Sequence, residues 1–509
     1  MTGQRRPSVG EIVDDVHFIQ LEQKTASNHF FQSTSAWTEA KLFTELASVT
    51  SLLNLGFILS PLLTASYIGR RFGPVFLSGF TLANLTGNLC TFSLMSGLFG
   101  ASDTLSPQAF GVGNYPEVGY IAMRGVLAAV TMLLPINIVL VLFLEPIMEM
   151  FGQDPEASMH AQSWYRIFVF SIPFSILYNA IWKFLSAQHV VKPLLIVSIT
   201  CTFVILPVAL ELCIESMGFL GSAVAYVIFQ GSQAVLLLLY LLLKHPHHNG
   251  TWPGLGNWRQ ALKMKPMMDF LHLGAGGILS QSEWVFWEGL GLIVGQLGVV
   301  PLSVHTIPNQ TIMAFCMVPF SFGVALAIRM GVSLPISVRR TKWIVLAATT
   351  GSIVLFGIVT IIVYTCRDLI IAIFTTDHEV IELAHEVWLN VTLFNFNVAI
   401  FGVLAGIATG LGKQMTLGYI NLLWLWAFGI PVIYYRSIIL EFGLPSVWFW
   451  INVPYAGMNV CLVVLFMTTD WYKVQEKIKE AEVKDHDSPG CSAEMEPSHP
   501  TETSRLLNP

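Results

Sequence analysis

The stretch EPIMEMFGQDPE, residues 145–156, returns as DLIIAIFTTDHE at residues 368–379. Ile, Phe, Asp and Glu occupy the same places in the two copies, which begin 223 positions apart. Each copy follows one long apolar stretch and precedes another. A repeat of this length is far longer than a solenoid period, so each unit is predicted to be a bundle of several helices. The chain is therefore interpreted as a duplicated bundle.

Composition indicates that the bundles lie in a membrane. Of 509 residues, 54% are hydrophobic and 11% are charged, and the charges fall mainly in short links and at the two ends. This leaves little polar surface for water, so the bilayer is the predicted solvent. Two multi-helix bundles in so apolar a chain are typical of a secondary transporter. The net charge of -6 does not indicate a nucleic-acid partner.

Hydrophobic stretches of about 20 residues cross the hydrocarbon core of a bilayer. Twelve such stretches occur, six in each copy: 46–68, 75–101, 121–144, 164–187, 194–214, 218–243, 270–297, 302–327, 343–366, 387–410, 416–435 and 445–468. They are long and not alternating, which excludes a barrel. The predicted fold is an all-α integral membrane protein with twelve transmembrane helices in two pseudo-symmetric six-helix lobes. An axis along the membrane normal should relate the lobes.

Lysine and arginine set the predicted orientation. With both chain ends on one side, the links on that side hold most of the basic residues, so both termini are predicted to be cytoplasmic. The predicted order is an N-terminal tail at 1–45, a first lobe at 46–243, a link at 244–269, a second lobe at 270–468 and a mostly disordered tail at 469–509.

The link between the lobes begins KHPHHNGTWPGLGNW, residues 244–258. A helix lying on the inner leaflet is favoured here over a metal site built from His245, His247 and His248. No metal and no cofactor is predicted for the chain.

Glu283 and Glu288 are the acids that lie deep within a predicted span. A charge at mid-bilayer costs on the order of 3 kcal/mol, so both acids are expected to serve a function that offsets this cost. A transporter that couples a solute to a proton needs a group whose charge changes inside the membrane, and a carboxylate in a low-dielectric cavity meets this need. Five residues apart on a helix, the two side chains point about 140° from one another, so one cavity face does not easily present both.

Three segments carry a family resemblance. Residues 84–114 read NLTGNLCTFSLMSGLFGASDTLSPQAFGVGN, residues 280–288 read SQSEWVFWE, and residues 318–331 read VPFSFGVALAIRMG. Over about residues 40–470, the chain resembles the multidrug and toxic compound extrusion (MATE) transporters, in particular the eukaryotic branch. The resemblance implies two lobes that face each other in a V around a central cavity, open alternately to either side, and exchange organic cations or other amphipathic compounds for H+ or Na+.

The resemblance also implies roles for individual residues. Glu283 would be the proton-coupling residue that lines the cavity, and Glu288 either a second coupling group or a brace for a neighbouring helix. Six amides and two tryptophans are the candidate cavity residues, with interhelical ties and packing as their alternative roles. They are Asn54, Asn84, Asn309, Gln310, Asn395, Asn397, Trp284 and Trp287.

The chain departs from the family pattern at two acidic positions. Gln310 stands where eukaryotic relatives commonly carry a second carboxylate, and Val398 stands where they carry one on the tenth span. Coupling is therefore expected to be confined to the second lobe, and strong selectivity for divalent organic cations is put in doubt. Asp103 and Arg329, which end the second and eighth spans at corresponding places, are interpreted as a gate or as charges at a helix end.

The C-terminal tail ends in ETSRLLNP, which places Glu502 four positions before the pair Leu506 and Leu507. This spacing resembles the acidic dileucine signal that clathrin adaptors read. It predicts a lysosomal, vacuolar or endosomal membrane, with the plasma membrane as the alternative.

The predicted function is a proton-driven antiporter that exports organic cations or other amphipathic small molecules by alternating access, and we expect a monomer. One alternative is a flippase for lipids or lipid-linked oligosaccharides, but its cavity would need cationic groups, and Lys183 is the one mid-span lysine or arginine. A channel is the second alternative, but a selective pore needs a filter or a ring of charges. An enzyme is least supported, because no span pairs metal ligands or a nucleophile with a base.

Overall fold

The computed structural model describes residues 36–248, 250–374 and 377–486, and within these ranges every long element is a helix and no strand occurs. Residues 1–35 and the predicted sorting residues Glu502, Leu506 and Leu507 lie outside the described residues. The helices of the first lobe are α1 (Ala36–Phe72), α2 (74–112), α3 (Tyr115–Met150), α4 (Pro155–Ala187), α5 (Lys192–Met217) and α6 (Phe219–Lys244).

The second lobe repeats this order. Its helices are α7 (264–295), α8 (Val299–Ser333), α9 (Val338–Thr365), α10 (His378–Gly410), α11 (Gln414–Ile439) and α12 (Gly443–Thr468), and α13 (Trp471–His486) follows. Short helices lie at Leu255–Asn257, Trp258–Ala261 and Arg367–Phe374. In the described ranges, ten helices are long and apolar enough to cross a membrane, and each of the twelve predicted stretches overlaps one of α1 to α12. The all-helical prediction is confirmed.

Several helices are longer than the hydrophobic stretches that predicted them. α2 continues to Val112, and α7 already begins at Met264. Hydrophobicity marks the part of a helix that suits hydrocarbon, whereas the helix itself can extend past it into polar surroundings. The link between the lobes is consequently shorter than predicted, and its helix at Trp258–Ala261 is a single turn.

The duplicated segments begin their helices in the same way. The Asp154 side chain accepts a hydrogen bond from the backbone N–H of Ala157 at 2.9 Å at the start of α4. The Asp377 side chain accepts one from the N–H of Glu379 at 2.9 Å at the start of α10. These bonds satisfy donors that a helix leaves unpaired at its first turn. Both aspartates therefore cap the helices that follow them.

Each lobe has its own hydrophobic core, and the two lobes meet at closely packed backbones. Trp164 and Tyr165 are fully buried in the first core, and Trp388 and Tyr455 in the second. Between the lobes, a Cβ added at Gly277 of α7 would lie 2.0 Å from the carbonyl oxygen of Gly97 in α2. Only glycine permits so close a crossing.

Both described chain ends lie on one side of the bundle. Glu39, near the start of α1, forms an ion pair with Arg340 at the start of α9. Gln475 of α13 donates hydrogen bonds to the carbonyl oxygens of Leu334 and Pro335, at 3.0 and 2.9 Å. These two residues lie in the link that leads from α8 into α9. We call this the terminal side.

Candidate transport site

A cavity of about 470 Å³ lies between the two lobes. The first lobe lines it mainly with α1, α2, α4 and α6, and the second lobe with α7, α8, α10 and α11. Its wall mixes aromatic rings, amides and small residues, as a site for an amphipathic molecule requires. Among the described residues, the charged side chains in the lining are Glu283, Asp103 and Lys183.

Glu283 lies on the second-lobe wall of the cavity with only 4% of its surface exposed. The hydroxyl of Tyr455 in α12 donates a hydrogen bond to Glu283 Oε1 at 2.8 Å. The indole Nε1 of Trp287 in turn donates to the Tyr455 oxygen at 3.1 Å. The ring of Phe394 packs edge-to-face against Trp287 at 5.1 Å and against Tyr455 at 4.8 Å. The carboxylate therefore stands at the end of a fixed row of aromatic side chains.

A break in α7 precedes Glu283. The helix consists of Met264–Ser280 and Ser282–Gly295, joined at Gln281. Side chains of α11 bond to carbonyls on either side of this joint: Asn421 Nδ2 donates to Ser280 O at 3.0 Å, and Trp426 Nε1 donates to Ser282 O at 3.2 Å. Carbonyls at a helix break inside a membrane need such partners, because lipid supplies none. The break thus places the carboxylate in the first turn of a short half-helix.

The first-lobe wall carries an ion pair. Lys183 Nζ of α4 lies 2.8 Å from Asp103 Oδ2 of α2, and the two side chains are 11% and 12% exposed. The ammonium also lies 4.5 Å from the centroid of the Trp182 ring, a distance typical of a cation–π contact. The pair has no net charge, so among the described lining residues Glu283 is the ionisable group without an ion of opposite charge beside it.

The structure brings some of the predicted residues to this cavity. Asn54, Trp284 and Trp287 line it together with Glu283. Asn54 Nδ2 donates to Ser321 Oγ of the second lobe at 2.9 Å. Asn84 does not belong to the lining; Asn88, one turn later in α2, does. The second span thus presents an amide to the cavity, but from the neighbouring turn.

The asparagines of α10 lie outside the lining. Asn397 Nδ2 donates to Asn452 Oδ1 at 2.9 Å, and Asn452 Nδ2 donates to the Asn390 carbonyl at 3.0 Å. These bonds tie α10 to α12, which is the alternative role foreseen for such amides. Asn395 is buried, and neither it nor Asn309 is a lining residue. The side chains of Glu288 and Gln310 lie outside the described part of the structure, so their roles stay predictions.

Asp103 and Arg329 do not end their helices, contrary to prediction: α2 continues to Val112 and α8 to Ser333. Each charge lies just past the hydrophobic stretch that predicted the span, but within the helix. The two residues also lie in different surroundings. Asp103 faces the cavity, whereas Arg329 is part of a buried cluster at the terminal side.

The terminal cluster joins the lobes through Arg329. Its Nη2 lies 2.5 Å from Glu39 Oε2, and both side chains are 6% exposed. Glu39 also pairs with Arg340. Arg329 Nη1 lies 2.8 Å from Nε2 of His189, in the link between α4 and α5. Burial, reinforced by Arg329, lowers the pKa of His189 to about 4, so its ring is neutral at neutral pH and accepts this bond.

A second set of bonds closes the lobes between the cavity and this cluster. Thr104 Oγ1 donates to the Thr409 carbonyl at 2.6 Å, and Gln108 Nε2 donates to the Gly410 carbonyl at 3.1 Å. Asp103 is the last residue of α2 in the cavity lining, and Thr409 also belongs to the lining, so these bonds lie at the terminal end of the cavity. This conformation is therefore closed on the terminal side.

The chain matches the model of a known protein family. The model of the MatE family matches residues 50–211 and 282–435, one segment in each lobe. The chain belongs to the MatE family.

Relatives within the MatE family are similar along most of their length. Multidrug and toxin extrusion protein 1 of Rattus norvegicus is 28% identical over 469 residues, covering 91% of this chain and 81% of the relative. Multidrug and toxin extrusion protein 2 of Oryctolagus cuniculus is 30% identical over 448 residues, covering 86% of this chain and 71% of the relative. An uncharacterized transporter of Schizosaccharomyces pombe is 26% identical over 436 residues, covering 82% and 78%.

Solved structures confirm the two-lobed MATE fold. The crystal structure of the eukaryotic MATE transporter AtDTX14 is similar with a TM-score of 0.77 at 22% identity, covering 87% of this chain and 99% of that one. A MATE crystal structure in the bent conformation gives a TM-score of 0.74 at 15% identity, covering 87% and 97%. As a MatE member, the chain is a multi-pass membrane transporter and not an enzyme.

Sequence reasoning missed several residues of this MatE cavity. On α4, the lining residues are Ser175, Tyr178, Asn179, Trp182 and Lys183. Their spacing follows one face of a helix, and this periodicity of polar residues is a signal in the sequence. Tyr455 gave no such signal, because its bond to Glu283 joins residues 172 positions apart.

Proposed function

We propose that this MatE protein is a secondary antiporter that exports organic cations or other amphipathic small molecules in exchange for protons. Glu283 carries the proposal: it is a buried carboxylate on the wall of a cavity that two lobes share. Burying an ionised carboxylate is unfavourable unless a partner compensates its charge. A proton and a substrate cation can each do so, and they compete for one site.

Competition at one carboxylate couples the two flows if its two occupied states favour opposite conformations. Trp284 and Trp287 lie in the lining beside Glu283 and offer ring faces to an organic cation. The flippase alternative is less favoured, because Lys183 is paired with Asp103 and does not give the cavity a net positive charge for a phosphate headgroup.

The proposed cycle needs the terminal side to open as well as to close. We assign that side to the cytoplasm from the distribution of Lys and Arg. Arg329 then belongs to a cytoplasmic gate with Glu39, Arg340 and His189. The test of the function is whether reconstituted protein accumulates a monovalent organic cation when a pH gradient is imposed across the vesicle membrane.

Tyr455→Phe should lower the rate of pH-driven transport about 10- to 100-fold, because a hydrogen bond to a charged group contributes about 1.5–3 kcal/mol. Initial rates at varied substrate concentration and varied pH gradient measure the effect. Tyr165→Phe is the matched control, since Tyr165 is a buried tyrosine that donates to Asn137 Oδ1 at 2.7 Å outside the cavity. Parental rates for Tyr455→Phe would show that the tyrosine merely fills space.

The membrane of residence is a separate proposal. If the Glu502 motif is an adaptor signal, replacing Leu506 and Leu507 by Ala should move the protein from endolysosomal or vacuolar membrane to the cell surface. Transport per molecule should not change, because the substitutions leave every described residue of the cavity lining in place. Imaging of a tagged protein decides the matter, and an unmoved variant would make the motif a coincidence.

A further inference from the structure

Among the residues whose side chains the structure describes, three charged ones line the cavity, and two of them cancel. Asp103 and Lys183 form an ion pair at 2.8 Å on the first-lobe wall, while Glu283 faces the cavity from the second lobe. When Glu283 is ionised, these three groups sum to one negative charge. A substrate with a single positive charge therefore neutralises the site, and a substrate with two leaves one charge uncompensated.

We propose that the Asp103–Lys183 pair is a specificity determinant that limits substrates to one net positive charge. The proposal rests on the proposed function, since it concerns which cations the same cavity accepts. Neither side chain is needed for coupling in this view. Their part is to hold the first-lobe wall electrically neutral.

The surroundings of the pair support a role in the cavity. Both side chains are lining residues, and each keeps about a tenth of its surface exposed. Trp182 lies beneath the ammonium and also lines the cavity. Because both charges face the space between the lobes, they act on any charged molecule that occupies it. A lysine there repels a second substrate charge that Asp103 alone would attract.

Coulomb's law gives the size of the effect. A cavity of about 470 Å³ is small enough that a charge on one wall lies roughly 10 Å or less from a substrate charge near the other. At an effective dielectric constant of about 20, a unit charge at about 10 Å changes an affinity on the order of tenfold. Changing either member of the pair should therefore alter selectivity measurably.

Opposite substitutions should have opposite effects. Lys183→Gln leaves Asp103 uncompensated, so uptake of the bis-quaternary hexamethonium should rise about tenfold relative to the monovalent tetraethylammonium. Asp103→Asn leaves Lys183 uncompensated and should lower that ratio. The double substitution D103N/K183Q removes both charges, and its ratio should return toward the parental one.

A matched pair of probes tests the same point with one skeleton. Trimethyl(2-phenylethyl)ammonium carries one positive charge, and the betaine of phenylalanine adds only a carboxylate to it. Asp103→Asn should raise uptake of the betaine relative to the cation about tenfold, because the freed Lys183 ammonium donates hydrogen bonds to the substrate carboxylate. Lys183→Gln should lower this ratio.

The experiment uses full-length protein in proteoliposomes with an imposed pH gradient. Arg71→Gln is the control: it removes one positive charge from the first lobe at an ion pair with Glu211 outside the cavity, and its ratios should equal the parental ones.

The proposal is supported if the two single variants move the ratios in opposite directions. It is overturned if either folded variant transports tetraethylammonium with unchanged ratios. Should one variant fail to fold, the other decides alone. A parental protein without pH-driven uptake would instead contradict the proposed function.

Discussion

Glu283→Gln should abolish transport driven by a pH gradient while leaving the protein folded. Glutamine keeps the size of the side chain and can still accept the bond from Tyr455 at the position of Oε1. It cannot exchange a proton for a cation. We expect pH-driven accumulation of a monovalent organic cation to fall about 100-fold, within the usual range of coupling between two ligands. Uptake into proteoliposomes with and without the gradient measures it.

Two comparisons make this result specific to coupling. Glu283→Asp retains the charge one methylene further back and should keep part of the activity. Glu288→Gln should have a milder effect, as expected for a side chain about 140° away on the helix. Should Glu283→Gln exchange substrate for protons at the parental rate, the coupling assignment is wrong.

Glu39→Gln should shift the protein towards the state that is open on the terminal side. Glu39 pairs with Arg329 and Arg340 across the two lobes, and opening must separate these groups. Removing one partner of a buried ion pair costs about 3–5 kcal/mol, which here falls on the closed state. A cysteine placed at Thr409, at the terminal end of the cavity lining, should then react at least about 100-fold faster with a membrane-impermeant maleimide added on the terminal side.

The control for this prediction is Glu117→Gln. Glu117 pairs with the buried Arg124 within α3, so the same chemical change is made inside one lobe. Labelling at position 409 should not change in this variant. Equal labelling in Glu39→Gln and in the parental protein would show that the cluster does not hold the lobes together.

The fold could be predicted from sequence because its signals are local or repeated. Apolar stretches of membrane length gave the helices, and the two copies that begin at Glu145 and Asp368 gave the duplication. Glu283 could also be predicted, since an acid within an apolar span is costly and therefore conspicuous. The structure places it on the cavity wall with Trp284 and Trp287, as the resemblance implied.

Other parts of the site depend on contacts that no local pattern records. Asn88 rather than Asn84 lines the cavity. Which of these two turns of α2 borders the cavity depends on how the helix packs against its neighbours, and the sequence pattern does not record this. Glu39 meets Arg329 across 290 positions of sequence, and it lies before the first apolar stretch, where a charge is unremarkable. The charge of Asp103 interrupts the hydrophobic pattern and so predicts a helix end, whereas its partner Lys183 makes that charge acceptable inside the bundle.

The joint at Gln281 gives the seventh helix the properties of a lever. The half that follows it, Ser282–Gly295, is 14 residues long, which is about 21 Å of α-helix. A rotation of about 5° at the joint would displace its far end by roughly 2 Å, whereas Glu283, close to the joint, would barely move. Because Asn421 and Trp426 of α11 bond to the carbonyls beside the joint, the eleventh helix fixes the angle of this lever. A change of charge at Glu283 therefore acts beside the joint. There, a small displacement of the carboxylate accompanies a much larger displacement at the far end of the helix.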